Sequence, residues 1–99
     1  MLVSLSDVRL IFGKLIDGKI SREEADRWAY EKVKAFDAGS LEFESVTDEQ
    51  SLWNAIKYLY GIDTKISPFE YMHSIEEIKN EFIEKWNIKE NQSPPPPLI

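Results

Sequence analysis

Four capping boxes punctuate this chain and constrain its fold more than any other feature. Ser21 is followed three residues on by Glu24, Thr47 by Gln50, Ser67 by Glu70 and Ser74 by Glu77. In each, the hydroxyl can accept from the amide of the fourth residue, whose side chain can reach back to the cap amide. Gly18, Gly39 and Gly61 supply matching stops, each placed after an apolar run where a left-handed residue closes a helix. The pattern predicts an all-α protein: a four-helix antiparallel bundle with one extra short helical turn and an extended proline-rich C-terminal tail.

The first helix is expected from Asp7 to Asp17 with Ser6 as its cap. Val8, Ile11, Phe12, Leu15 and Ile16 form one apolar stripe at helical spacing. The second runs from Ser21 to about Phe36, with Ala25, Trp28, Ala29, Val33 and Phe36 facing inward. Residues 37–46 change character. Leu41 and Phe43 alternate with Glu42 and Glu44 as in a strand, but no partner strand is evident, so this stretch reads as an extended crossover. The third helix is expected from Asp48 to Tyr60, on a stripe of Leu52, Ile56, Leu59 and Tyr60. Ser67-Pro68 reads as the start of a single helical turn, since proline suits the first helical position. Ser74 caps the last helix, to about Asn87. The core is expected to hold Ile11, Leu15, Trp28, Val33, Ile56, Leu59, Ile78 and Phe82.

Ninety-nine residues without a cysteine imply one domain, residues 1–88, that needs no disulfide, followed by a tail at 89–99. Pro94 to Pro97 should form a polyproline II rod. No basic leader precedes an apolar stretch and no run reaches a membrane span, so the chain is read as cytoplasmic, with no membrane partner. Twelve basic residues against eighteen acidic ones give a net charge of −6. Such an excess argues against nucleic acid, whose phosphates call for a Lys/Arg footprint.

The sequence offers no nucleophile–base pair, phosphate loop or metal-ligand cluster. No cofactor and no metal are expected, and no enzyme. His73, the lone histidine, lies between a turn and a helix cap, where an imidazole commonly bonds backbone. Trp28, Trp53 and Trp86 read as core rather than as a ligand platform. One charge feature stands out. Between Ala35 and Ile56 the chain carries Asp37, Glu42, Glu44, Asp48 and Glu49, and no Lys or Arg. A coherent negative face there would speed capture of a basic protein partner. Phe43, with Phe69 and Tyr71 from the Ser67–Ser74 segment, would add the aromatic anchors of such an interface, with Glu70 as a charged contact beside them.

The opening pattern Lys14-Leu15-Ile16-Asp17-Gly18-Lys19-Ile20-Ser21-Arg22-Glu23-Glu24-Ala25 resembles the first helical hairpin of small acidic bacterial immunity proteins, including the colicin D immunity type, over roughly the first 35 residues. The resemblance implies a toxin inhibitor, monomeric or weakly homodimeric, that covers the basic cleft of a cognate toxin. The alternative is a helical adaptor or regulatory protein that binds a partner helix or a proline-rich segment.

Overall fold

The computed structural model of the chain describes residues 1–44 and 48–87. In chain order they form β1 (Leu2–Val3), α1 (Leu5–Ile16), α2 (Arg22–Asp37), β2 (Glu42–Phe43), α3 (Glu49–Leu59), β3 (Lys65–Ser67), β4 (Glu70–Tyr71) and α4 (Ile75–Phe82). A π-helical turn at Ile83–Asn87 extends α4. The protein is mostly helical, with four helices and two small sheets among the described residues. The strands correct the all-α expectation. The proline rod, the tail at 89–99 and the Thr47 side of its capping box lie outside the described residues.

The cap chemistry places the helices. Ser21 and Ser74 each accept from the amide three residues on, at 3.0 and 3.1 Å. Glu24 closes the first box by accepting from the Ser21 amide. Glu77 instead turns its carboxylate to His73. α1 starts two residues earlier than its stripe suggested. Ser4, not Ser6, is its cap, in a reciprocal box with Asp7. Aspartate at this position does the work that the pattern reserves for Glu or Gln. Gly18, Gly39 and Gly61 all adopt positive φ, between 74° and 84°, as the stop signals require.

Two local expectations fail, each for a physical reason. Glu42–Phe43 does have a partner. β1 pairs with it in parallel, Leu2 opposite Glu42 and Val3 opposite Phe43. Two residues are too few to show period-2 alternation, so Leu2–Val3 carries no strand signature. The Ser67-Pro68 segment is the turn of an antiparallel hairpin rather than a helical turn. Ser67 pairs with Glu70, and Pro68-Phe69 form the connection. The locked φ of proline suits both the first helical position and the second position of a β-turn, so the residues alone cannot separate the two.

The core sits where α1 packs against α3 and α4, with α2 covering α3. Leu15, Ile56, Leu59 and Ile78 are buried as expected. Ile11, Trp28, Val33 and Phe82 are half-buried against that core. Phe36 is not inward. Ala35 takes the buried position, and Phe36 lies half-exposed on the Trp53 ring at 4.4 Å. Trp86 is buried and stacks on Phe12 at 5.0 Å. The two sheets lie at opposite ends of α2. β2 follows its last turn, whereas Tyr71 of β4 meets Arg22 and Glu23 in its first. Sixteen helical residues separate those ends by about 24 Å.

Candidate functional site

α3 has sharply divided faces. Leu52, Ala55, Ile56 and Leu59 are buried. Gln50, Asn54 and Lys57, spaced four and three apart on the opposite side, are exposed. The Gln50 side chain donates to Asn54 Oδ1 at 3.0 Å, which aligns the two amides along one ridge. The helix is braced on both flanks. Toward α2, Trp53 stacks on Phe36 and Tyr60 on Tyr30. Toward the π-helical turn, Trp86 Nε1 donates to the Ser51 carbonyl at 3.0 Å. A polar ridge on a rigid element is held within the narrow geometry that recognition requires.

Beside the ridge lies an open groove of about 470 Å³ lined by Gln50, Ser51, Asn54, Tyr58, Glu81, Lys85 and Trp86. Burial, with Glu81 and Glu77 adding repulsion, pushes the Tyr58 phenol up to about 12, so it stays a neutral hydrogen-bond donor. Lys85 is paired with Glu81. The hydrogen bond and the charge of that carboxylate hold its ammonium above the usual range. Such side chains can exchange hydrogen bonds with a polar surface. Among the described residues, no group of three or more His, Asp or Glu is placed to hold a metal ion, and no helix is long and apolar enough to cross a membrane.

The residues picked out by the acid run and the aromatics fall into two groups. Glu42, Glu44 and Glu49 line a groove of about 460 Å³ with Leu2, Phe36, Leu41 and Phe43. Asp37 is exposed at the last turn of α2, and Asp48 is half-buried at the start of α3. Phe43 is half-buried against the core. Phe69, Glu70 and Tyr71 belong to the hairpin at the other end of α2. Phe69 is 99% exposed at the turn. Tyr71 is fixed instead. Its hydroxyl donates to Glu23 Oε2 at 3.1 Å, which raises its pKa. The Arg22 guanidinium lies 4.0 Å from its ring centroid, and the Lys65 ammonium 5.1 Å. Arg22 also donates to the His73 carbonyl at 3.1 Å. His73 Nδ1 lies 3.2 Å from Glu77.

The sequence alone gives the ridge residues no prominence, because Gln50 also fits as the closing half of a cap with Thr47. The available signal was the complement of the apolar stripe: two amides and a lysine at helical spacing, on a helix with one acid and one base among its eleven residues.

A family model described as YxzC DNA-binding protein matches residues 4–86. No curated protein and no solved structure matches the chain. The family match overturns the resemblance to immunity proteins, and with it the toxin-inhibitor function. The helix–turn–capped-helix pattern behind that resemblance recurs wherever two helices meet at a glycine, so it does not separate families. The match also sets aside the expectation that excluded nucleic acid. Net charge is a sum over the whole chain, whereas a duplex meets one face, so the sum does not decide what any one face can bind. With 83 of its residues inside the match, this chain belongs to the YxzC DNA-binding protein family.

Proposed function

We propose that this chain is a non-enzymatic DNA-binding protein that presents the outward ridge of α3 to the major groove. The observation that carries the reading is the Gln50–Asn54–Lys57 ridge on a braced helix, in a family described as DNA-binding. The major groove admits an α-helix, and Asn or Gln can pair bidentately with the N6 and N7 edge of adenine. Asn54 and Gln50 are the base-reading groups, and Lys57 is a phosphate contact. The proposal treats the four helices as an antiparallel bundle that holds α3 in place, and it puts the protein in the cytoplasm.

Charge sets the approach. α3 starts beside the acidic groove, where Glu49 stands, and ends near the hairpin. Glu49 repels phosphates at the start of the helix, so the backbone contact falls to Lys57 while Gln50 and Asn54 face base edges. With a net charge of −6, general attraction is weak. Three cations, Lys57, Arg22 and Lys65, would give a salt slope of about −2.7 on logarithmic axes, shallow for a DNA binder.

Fluorescence anisotropy with labelled duplexes tests this. A selected duplex should bind, and Asn54→Ala should weaken it by roughly 1–3 kcal/mol, or about 5- to 150-fold, and relax sequence preference. Lys57→Ala should weaken all duplexes alike. If native protein at about 100 µM, the weak end of non-specific binding, leaves duplex anisotropy unchanged, the proposal fails.

A further inference from the structure

The ridge of α3 uses only the edge of the groove beside it. Gln50 and Asn54 are exposed there, whereas Tyr58 and Glu81 are half-buried within the groove. Base edges lie about 8.5 Å deep in the major groove of a duplex, so they meet the exposed amides and not the groups inside. Reading a duplex therefore leaves the interior of the groove unexplained. Gln50, Asn54 and Tyr58 stand on one stripe of α3, four residues apart. Glu81 of α4 and Lys85 of the π-helical turn line the groove with them and form an ion pair. These two are the charged residues of the lining, and each is the partner of the other, so an ionic ligand finds no free charge among the described residues. The Tyr58 hydroxyl, kept neutral by burial and by Glu81, has no hydrogen-bond partner among the described residues. The groove thus offers donors and acceptors without net charge. Its volume of about 470 Å³ lies in the range of small-molecule sites.

We propose that this groove binds one uncharged purine, as a free base or nucleoside, and that its occupation takes Gln50 and Asn54 away from the duplex. A carboxylate beside an ammonium matches the Watson–Crick edge of a purine. Glu81 accepts from N–H groups of that edge, and Lys85 donates to the neighbouring acceptor, N1 of adenine or O6 of guanine. A purine has a second bonding edge at N7, which accepts from the Tyr58 hydroxyl with the Asn54 amide beside it. A pyrimidine nucleoside carries C–H there, so it satisfies one side of the groove and leaves the other unpaired. The competition with DNA rests on the DNA-binding reading, whereas the purine site itself does not. A purine left unpaired in a DNA strand offers the same edges, and the experiment separates the two sources.

The experiment titrates the full chain, labelled with nitrogen-15, with adenosine, guanosine and cytidine, and follows labelled duplex by anisotropy. At about 1 mM, the weak limit of a useful site, a purine nucleoside should move the side-chain amide signals of Gln50 and Asn54. Cytidine should bind about 2- to 10-fold more weakly, for want of the N7 hydrogen bond. Tyr58→Phe should weaken purine binding by the same factor, and Glu81→Gln by about tenfold or more, since its acceptor is charged. Saturating nucleoside should release bound duplex. No shift with either purine nucleoside, cytidine binding as tightly, or an unchanged affinity in Tyr58→Phe overturns the purine site. Shifts at the groove from a duplex with one bulged adenine, and none from the nucleosides, assign the groove to an unpaired strand purine and overturn the free ligand. Nucleoside binding that leaves the duplex bound overturns the competition. Native protein that binds nucleoside but no duplex removes the DNA-binding reading and the competition, and leaves the purine site standing.

Discussion

Replacing Phe12 by alanine should remove a large share of the stability of this protein. Phe12 is fully buried on α1 and is the hub of an aromatic cluster. Its ring lies 5.0 Å from Phe82, 5.0 Å from Trp86 and 6.0 Å from Tyr58, all stacked. Truncating a buried Phe to Ala costs roughly 3–5 kcal/mol. Three ring partners, each adding about 0.5–1.5 kcal/mol beyond area burial, put this site near the upper end. A domain of 99 residues has a net stability of roughly 5–15 kcal/mol, so the variant loses between a third and all of it. In urea the midpoint should fall by roughly 2–4 M. Tryptophan fluorescence is the assay, because Trp86 is itself one of the stacked rings. Phe12→Leu keeps most of the volume but loses the ring contacts, so it should cost less than the alanine variant, which keeps the test readable if that variant does not fold. A loss below about 1 kcal/mol for Phe12→Ala would refute the cluster as the packing centre. The consequence reaches the ridge, since Trp86 braces α3 through the Ser51 carbonyl.

Three further predictions concern single contacts. Gly13 sits inside α1 with open space where a Cβ would stand, so Gly13→Ala should raise the denaturation midpoint by the equivalent of about 0.5–1 kcal/mol. Asp26 Oδ1 accepts from the Gly61 amide at 2.6 Å and ties α2 to the end of α3, so Asp26→Ala should cost about 1–3 kcal/mol in urea unfolding. The Tyr58 phenol titrates near 12 in the folded protein and near 10.0 when unfolded. Between those values the native state holds a proton that the unfolded state has lost. Stability should therefore fall as pH rises from about 10 to about 12, with no contribution below 10. Tyr58→Phe should flatten that fall in denaturation midpoints measured across the range.

The helices were legible in the sequence because their ends are written in side-chain chemistry. Ser21 and Ser74 cap where the pattern puts them, and three glycines stop helices at positive φ. The strands were not, because Leu2–Val3 and Glu42–Phe43 exist only as partners of each other, and pairing across some forty residues leaves no local trace. The hairpin was hidden by proline, whose fixed φ serves helix and turn alike. The ridge was hidden differently. Gln50, Asn54 and Lys57 are ordinary exposed residues until the burial of Ile56 and Leu59 fixes which way α3 faces. The acid run from Asp37 to Glu49 stands out by its sign, whereas Gln50, Asn54 and Lys57 form no run in the sequence.

The most direct test is a nitrogen–proton correlation spectrum of the labelled protein titrated with duplex DNA. The side-chain amides of Gln50 and Asn54 give their own resolved signals and report on their mutual hydrogen bond, which base contact must replace. The account predicts that those two signals and the backbone of Lys57 move most, while Glu42 and Glu44 stay still. Shifts centred on the Leu2–Phe43 groove, or an unmoved Asn54 side chain at saturating DNA, would contradict it.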